Sequence, residues 1–220
     1  MKKSVLVIGL GRFGSGVIEE LYSRGHDVFA INKDEEPFNS IRDKIVSGAI
    51  FDVAANDDEL ARIVGEKNFD EAVVAMGEDF EGTLIATHVL KEAGIRVSVK
   101  AANQRRGNVL KKMGADRVVF PEREMGQRLA QLISNEAVID ILDLPQGFVV
   151  EQLAVGSGFS GHTIGELNTT NRLGIFIMLV YQNDQPVLPT ARTRLNKGDV
   201  MIVFGQKNKM PLFEKENSKK

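Results

Sequence analysis

A glycine-rich segment near the start of the chain has the residue types that bind phosphate. An apolar run, 5–8, is followed by GLGRFG, and a helical pattern begins at Phe13. Gly9 permits a tight turn, Gly11 lets a phosphate approach the backbone, and Gly14 lets helix and strand pack closely. The N–H groups at the helix start then bind the phosphate. A tight turn without a ligand is the alternative, but the strand before and the helix after favour nucleotide binding.

Arg12 places a long cation inside this loop, where a dehydrogenase usually has something small or apolar. The helix start at a phosphate site is already electropositive, so a guanidinium there needs an anion beside it. An extra guanidinium suits a terminal polyphosphate better than the bridging pyrophosphate of NAD. We favour this interpretation over the alternative, in which Arg12 is a surface residue paired with a nearby acid such as Glu19.

The end of the second predicted strand is the expected position for binding the ribose. Dinucleotide-binding folds place an acidic residue there, roughly 20 residues past the glycine loop. The stretch VFAINKDEE puts Asn32 at this position, followed by Lys33. Asparagine can still hydrogen-bond a ribose hydroxyl, but it does not repel a 2′-phosphate, and Lys33 could attract one. A solvated loop charge is the simpler interpretation of Lys33, so these residues leave the cofactor open.

Reactive residues are not grouped in a way that indicates catalysis. The chain has no cysteine, which excludes disulfides, thiol nucleophiles and cysteine-ligated metal. No pattern places a nucleophile or hydride acceptor beside any of the three histidines, His26, His88 and His162. The acidic cluster near position 79 is explained by Asp79 as a helix N-cap with an acidic first turn. We therefore predict a binding module and not an enzyme.

A repeated helix-end signal predicts the elements that position the glycine loop. LYSRGHDV, LKEAGIRV and LKKMGADRV each give the last turn of a helix, a glycine suited to the left-handed position, and a β-branched run. Apolar strands alternate with helical stretches, the strands at 28–31, 72–76, 97–99 and 118–120 and the helices near 57–64 and 80–93. This alternation predicts an α/β fold, a Rossmann-like, doubly wound parallel sheet.

The pattern changes near Pro145 and Gly147, which mark a break. A long amphipathic stretch, from Glu122 to about Ile141, closes the first predicted domain, 1–141. The second, 142–212, has alternating strands (FVVEQLAV, GIFIMLVYQ, VMIVFG) and one short helix near Thr163–Leu167, which predicts a small α+β domain. The charged tail, 213–220, is predicted to be disordered.

Bulk properties limit the partners. The formal net charge is -2 and the pI about 6.0, so no global positive field attracts nucleic acid. The longest strongly apolar run, 173–181, is far short of the roughly 20 residues of a membrane helix. Lys2 and Lys3 precede an apolar run, but Arg12 ends it early, so we expect no secretory leader. We predict a cytoplasmic protein that reaches a membrane only through a partner.

Several segments in combination resemble one family. They are GLGRFG, the segment Ala72–Thr83, VKAAN at 99–103, the run Val109–Ala130, and the C-terminal GHTIGEL and LNKGDVMIVFG. Together they resemble the cytoplasmic regulatory subunits of Ktr- and Trk-type potassium uptake systems, which consist of an RCK N-terminal domain and a TrkA-C domain. The resemblance covers nearly the whole chain and is strongest for the short, single-repeat Ktr-type proteins.

The resemblance implies an assembly and a partner. RCK domains are Rossmann-like and pair through a swapped helix, here Glu122 to about Ile141. Ktr-type proteins form homodimers that assemble into an octameric ring under a membrane-embedded potassium-translocating subunit, at the inner face of the cell membrane. They bind ATP or ADP at the glycine loop, and ATP favours the conducting state.

The resemblance also implies roles for individual residues. Arg12 would sense the terminal phosphate, often across the subunit interface, and Glu122 would help to bind an activating divalent or monovalent cation. Asp52 and Val53 match a segment beside the adenine, and Lys100 matches a lysine of the nucleotide site. The full implied set is Gly9, Leu10, Gly11, Arg12, Phe13, Gly14, Asn32, Lys33, Asp52, Val53, Ala75, Gly77, Lys100 and Glu122.

Two departures from the family pattern leave the ligand open. Asn32 replaces the usual aspartate, so ATP, ADP, AMP and NAD(H) all stay candidates. Thr170 stands where some relatives that bind cyclic di-AMP carry an arginine, while Ile175 and Pro189 keep the apolar character. The alternative functions are an NAD(P)-dependent oxidoreductase and an NAD(H)-sensing regulator. The acidic pI and the lack of a basic helix-turn-helix argue against a nucleotide-sensing repressor.

Overall fold

The computed structural model of the protein describes residues 1–66, 68–134 and 138–219. Its contacts divide the chain into two compact units, Met1–Glu124 and Met125–Lys220. Among the described residues, no helix is both long enough and apolar enough to cross a membrane.

The N-terminal unit is built on a six-stranded sheet in which all neighbouring strands are parallel, in the order β3-β2-β1-β4-β5-β6. The strands are β1 Ser4–Ile8, β2 Asp27–Asn32, β3 Ser47–Ile50, β4 Glu71–Val74, β5 Arg96–Lys100 and β6 Arg117–Val119. The helices are α1 Arg12–Ser23, α2 Asp57–Glu66, α3 Phe80–Glu92, α4 Gln104–Lys112 and α5 Pro121–Ser134, the last of which spans the division at Glu124. This confirms the predicted doubly wound α/β fold.

Strand β1 shows why the central strands are continuous apolar runs. Val5 and Val7 point into one apolar cluster, with Ile18 of α1. Leu6 and Ile8 point into a second cluster on the other face of the sheet. Helices cover both faces of a doubly wound sheet, so the side chains on both faces of a central strand are largely removed from water. Strand β3 was not predicted from the sequence. Its segment SGAI lies at the edge of the sheet and is mostly exposed, so it lacks an apolar run.

The C-terminal unit contains a five-stranded antiparallel sheet in the order β10-β9-β11-β8-β7. Its strands are β7 Val138–Asp143, β8 Phe148–Ala154, β9 Phe176–Gln182, β10 Gln185–Val187 and β11 Val200–Gln206. Its helices are α6 Ile164–Leu167, α7 Thr169–Leu173 and α8 Met210–Asn217. A capping box between Thr163 and Glu166 begins α6, which confirms the predicted short helix.

Two predictions for this part of the chain are wrong. The helix expected to run from Glu122 to about Ile141 is described as α5 up to Ser134, and residues from Val138 form β7 instead. Residues 135–137 of the expected helix lie outside the described residues. VIDILD is rich in β-branched residues and pairs with β8, which gives its backbone groups hydrogen-bond partners. Residues 213–217 of the tail predicted to be disordered form the last part of α8, in which Phe213 is fully buried.

Candidate nucleotide-binding site

The glycine loop lies where the strand order of the parallel sheet reverses. β2 and β3 lie on one side of β1, while β4, β5 and β6 lie on the other. In doubly wound sheets, ligands bind at this switch point, outside the carboxyl ends of the strands. The residues at these ends are the glycine loop after β1, Gly77 after β4, Lys100 at the end of β5 and Glu122 after β6.

Close packing fixes the two outer glycines of the loop. Gly9 has a φ of 95°, and its N–H donates to the carbonyl of Ile31 at 2.8 Å. A Cβ on Gly14 would lie 1.9 Å from the carbonyl oxygen of Gly9, which leaves no room for a side chain. The first turn of α1 can therefore lie directly against the end of β1, as the glycine spacing predicts.

Gly11 differs from its two neighbours because open space lies in front of it. It is the N-cap residue of α1, with extended backbone angles and no side-chain cap. A Cβ placed on Gly11 would have no heavy atom within 4 Å. The first turn of α1 contains no acidic residue, so the positive end of the helix dipole is not neutralised locally. This cradle fits an anion such as a phosphate.

Asn32 is tied to the glycine loop. Its Oδ1 accepts a hydrogen bond from the N–H of Leu10 at 3.0 Å, and its Nδ2 donates to the carbonyl of Asp34 at 2.9 Å. Both polar ends of the side chain are therefore engaged within the chain. The position predicted for ribose binding holds the loop in place in this structure.

Lys100 joins three parts of the site. Its Nζ lies 2.6 Å from Oε1 of Glu122 and 5.9 Å from the ring centroid of Phe13. A Cβ on Gly77 would meet the Lys100 side chain at 3.1 Å, so the lysine stem packs against that glycine. Lys100, chiefly by hydrogen bonding, lowers the pKa of Glu122, and the charge of Arg12 lowers it further. Glu122 is thus ionised at neutral pH.

Arg12 is exposed at the mouth of this site. Its guanidinium forms no hydrogen bond or salt bridge with any residue in the described ranges. Glu19, the partner considered for it from the sequence, pairs with Lys44 instead. The guanidinium is therefore available to an external anion, although its charge already acts on Glu122.

The remaining implied residues lie around this centre in different environments. Ala75 is buried, and its N–H donates to the carbonyl of Ile8. Lys33 and Asp52 are exposed, and Oδ1 of Asp52 accepts from the N–H of Ala54. Val53 is only 2% exposed and belongs to the apolar core. The structure thus brings together the glycine loop, Asn32, Gly77, Lys100 and Glu122, whereas Val53 offers no surface to a ligand.

Arg106 also lies at the edge formed by the carboxyl ends of the strands, and it was not predicted from the sequence. Its Nη1 donates to the carbonyl of Gly77 at 3.2 Å, and its guanidinium lies 4.9 Å from the ring centroid of Phe80. Asn103 caps the helix that carries it, accepting from the N–H of Arg106. An arginine in the first turn of a helix that follows a parallel strand lies at the ligand-binding edge, and this signal could have identified it.

Asp79 caps the helix that follows β4. Its Oδ1 accepts a hydrogen bond from the N–H of Gly82 at 2.9 Å, which confirms Asp79 as the N-cap of α3.

The positions considered for cyclic di-AMP lie in the C-terminal unit, where Ile175 is fully buried and Pro189 is half-buried. The hydroxyl of Thr170 donates to the carbonyl of Ile175 at 3.4 Å. Within the described ranges, no group of three or more His, Cys, Asp or Glu residues could hold a metal ion.

The fold and the site together define a Rossmann-like protein of the nucleotide-binding type with a small α+β domain after it. Residues 5–121 match the model of the TrkA-N domain, and residues 149–217 match that of the TrkA-C domain. The chain therefore belongs to the TrkA-N and TrkA-C family of potassium uptake proteins.

Full-length relatives support this membership. The chain is 34% identical to Ktr system potassium uptake protein C of Bacillus subtilis, over 98% of this chain and 97% of the relative. It is 33% identical to Ktr system potassium uptake protein A of Vibrio alginolyticus, over 94% of each chain. These names describe potassium uptake rather than catalysis, which agrees with the prediction that the chain is not an enzyme.

Solved structures show the same fold. The GsuK RCK domain has a TM-score of 0.66 at 18% identity, covering 100% of this chain and 48% of that one. The GsuK channel bound to NAD has a TM-score of 0.66 at 17% identity, covering 100% of this chain and 40% of that one. This chain therefore spans less than half the length of those proteins, and the likeness concerns the RCK fold alone.

Proposed function

We propose that the chain is the nucleotide-binding regulatory subunit of a potassium uptake system. ATP or ADP bound at the glycine loop controls ion flux through a membrane-embedded potassium-translocating partner. The observation that carries this proposal is the open cradle at Gly11, at the switch point of the sheet, in a chain of this family. The protein acts in the cytoplasm, at the inner face of the membrane, through that partner.

Each charged residue of the site has a role in this proposal. The N–H groups at the start of α1 bind the phosphates that ATP and ADP share. Lys100 adds a cation on the β5 side, and Arg12, which no described residue pairs, takes the terminal phosphate. Asn32 acts mainly by holding Leu10 in place, because its side chain is already hydrogen-bonded.

A cation bound with the nucleotide would use Glu122. Its carboxylate lies 2.6 Å from Nζ of Lys100, and its side chain is 70% exposed. One carboxylate does not make a metal site, so phosphate oxygens and water would supply the other ligands of a divalent or monovalent ion. Cation binding is therefore expected to depend on the nucleotide.

The apolar face of α5 supports assembly with a second copy of the chain. Met125, Leu129 and Ile133 are spaced four residues apart and are 61%, 56% and 73% exposed. Residues at this spacing form one stripe along a helix, which is an unusual surface to leave in water. The family arrangement predicts that this helix pairs two copies, and that the dimers form an octameric ring.

Isothermal calorimetry with ATP, ADP, AMP, NADH and cyclic di-AMP tests the ligand, and two variants test the site. Gly11→Asp places a carboxylate in the open cradle without a clash inside the protein, so we expect a folded chain with at least tenfold weaker ATP binding. Gly16→Asp is the matched control, since Gly16 lies on α1, is exposed and also has no heavy atom near its Cβ position. It should bind like the wild type.

Three results would count against the proposal. Wild-type affinity in folded Gly11→Asp would remove the site from the glycine loop. Equal loss in Gly16→Asp would show a general effect of an added charge. NADH binding tighter than that of ATP would favour the NAD(H)-sensing alternative, and hydride transfer from bound NADPH or NADH would favour an oxidoreductase.

A further inference from the structure

A glutamate occupies a core position in the sheet of the C-terminal unit. Residues of β8 alternate between buried and half-buried, and the buried positions are Val149, Glu151 and Leu153. Glu151 is only 5% exposed. Its neighbours across the sheet are Val203 on β11 and Ile141 on β7. The period-two pattern of a strand therefore puts a carboxyl group where an apolar side chain is expected.

This carboxyl group is poorly compensated. Its Oε2 is buried, and no donor in the described part of the chain forms a hydrogen bond with it. A carboxylate removed from water without partners is costly, and the usual response is to keep its proton.

Helix α8 covers this face of the sheet, because its Phe213 belongs to the same apolar cluster as the buried neighbours of Glu151 on β8. The charges that act on Glu151 belong to Glu214 on α8, Asp143 on β7 and Lys207 on the 3-10 helix between β11 and α8. Nζ of Lys207 lies 2.6 Å from Oδ1 of Asp143, so this cation is paired with a different acid. Burial, and then the charge of Glu214, raise the pKa of Glu151 to about 7, against the opposing effect of Lys207.

Two side chains of α8, Phe213 and Asn217, hold it against the rest of the C-terminal unit, and Glu214 lies between them in the helix. Phe213 packs edge-on against Phe159, with ring centroids 5.1 Å apart. The side chain of Asn217 accepts from the N–H of Gly156 and donates to the carbonyl of Ala154. Any repulsion between Glu151 and Glu214 therefore acts directly on the docking of α8.

We propose that Glu151 and Glu214 share a proton, and that this proton makes the docking of α8 on the C-terminal sheet sensitive to pH near neutrality. The proposal does not depend on nucleotide binding, because all of its residues lie in the C-terminal unit.

The raised pKa of Glu151 determines whether the docking of α8 strengthens or weakens as the pH rises. Glu151 has a higher pKa in the folded chain, about 7, than the ordinary value of 4.5. Between these values the folded state keeps a proton that the unfolded or undocked state has lost. The stabilisation is complete below pH 4.5 and is lost as the pH rises through 7. For these two pKa values, the equilibrium for docking weakens about tenfold between pH 6 and pH 8.

Hydrogen exchange of the full-length protein tests this, measured as protection factors for the amides of 210–217 from pH 5.5 to 8.5. We expect protection in the wild type to fall about tenfold between pH 6 and pH 8. In Glu151→Gln, an uncharged side chain of the same shape should make the profile flat. Glu35→Gln, which removes an exposed carboxylate from the N-terminal unit, should keep the wild-type profile.

Two results would overturn the proposal. One is a flat profile in the wild type, and the other is a wild-type profile in Glu151→Gln. Should Glu151→Gln fail to fold, Glu214→Gln removes the second carboxylate from a half-exposed position and must also weaken the pH dependence. Carbon-13 NMR of the glutamate carboxyl groups provides a direct readout, since a Glu151 signal that titrates near its ordinary value contradicts the proposal.

Discussion

At the scale of single residues, the guanidinium of Arg12, which pairs with no residue that the structure describes, makes the most specific prediction. In the proposed complex the amides of the glycine loop would contact phosphates common to ATP and ADP, so they would discriminate weakly between the two. A charge-assisted contact with the terminal phosphate alone contributes about 1.5–3 kcal/mol, or roughly ten- to a hundredfold in affinity. Arg12→Ala should therefore weaken ATP binding by this factor and ADP binding far less. Calorimetry measures both, with Arg42→Ala as an exposed arginine control.

The same variant separates three roles for Arg12. Equal loss of ATP and ADP affinity would make it a general phosphate ligand and contradict a sensing role. Unchanged affinities would show that the guanidinium is simply a surface charge. A selective loss of ATP binding should also flatten the ATP dependence of potassium flux in vesicles that contain the membrane partner, because a ligand shifts a conformational equilibrium only by its differential affinity.

At the scale of elements, α4 stabilises the loop that follows β4 through its residue Arg106. Arg106 contributes one hydrogen bond to Gly77 and one cation–π contact with Phe80. Together these contribute about 1–2 kcal/mol to the free energy of unfolding. Arg106→Ala should lower that free energy by this amount in urea titration and weaken ATP and ADP equally. Arg105→Ala, an exposed neighbour on the same helix, should change neither quantity. A selective loss of ATP binding in Arg106→Ala would instead indicate direct contact with the terminal phosphate.

At the scale of the whole molecule, the apolar stripe of α5 predicts that the isolated chain is not a monomer. Burying one leucine side chain contributes about 1.5–3 kcal/mol, so Leu129→Lys should raise the dissociation constant of the dimer by roughly ten- to a hundredfold or more. Light scattering over a concentration series measures this. Gln127→Lys is the matched control, since Gln127 is exposed on the opposite side of α5. A monomeric wild type at micromolar concentration, with or without nucleotide, would contradict the assembly.

How much of this could be predicted from the sequence differs between the two units. The parallel sheet was predictable because glycines after α1, α3 and α4, with φ of 77°, 74° and 96°, separate helices from strands. Glycine spacing likewise predicted the packed turn at Gly9 and Gly14. The partners of Lys100 and Asn32 could not be predicted by spacing, because they join residues that only the sheet brings together.

The two errors have local causes. Over so short a stretch, the apolar periodicity of the residues before and after position 135 fits either a helix or a strand. The pairing with β8 is what makes residues 138–143 a strand. The tail is dominated by charge in composition, yet its phenylalanine is buried and the side chain of its asparagine both accepts and donates a hydrogen bond, and these contacts help to dock α8. Composition averages over a segment, whereas docking depends on single side chains.

The hydrogen bonds of the glycine loop have a thermodynamic consequence. The N–H of Gly9 donates to the carbonyl of Ile31, and the N–H of Leu10 donates to Oδ1 of Asn32. Gly14 packs on the carbonyl of Gly9, so all of these contacts lie within the chain. The loop thus loses its conformational entropy when the domain folds rather than when a ligand arrives. Binding to a preorganised loop carries little ordering cost, so differences in affinity between nucleotides should report their own contacts with the protein and not the folding of the loop around them.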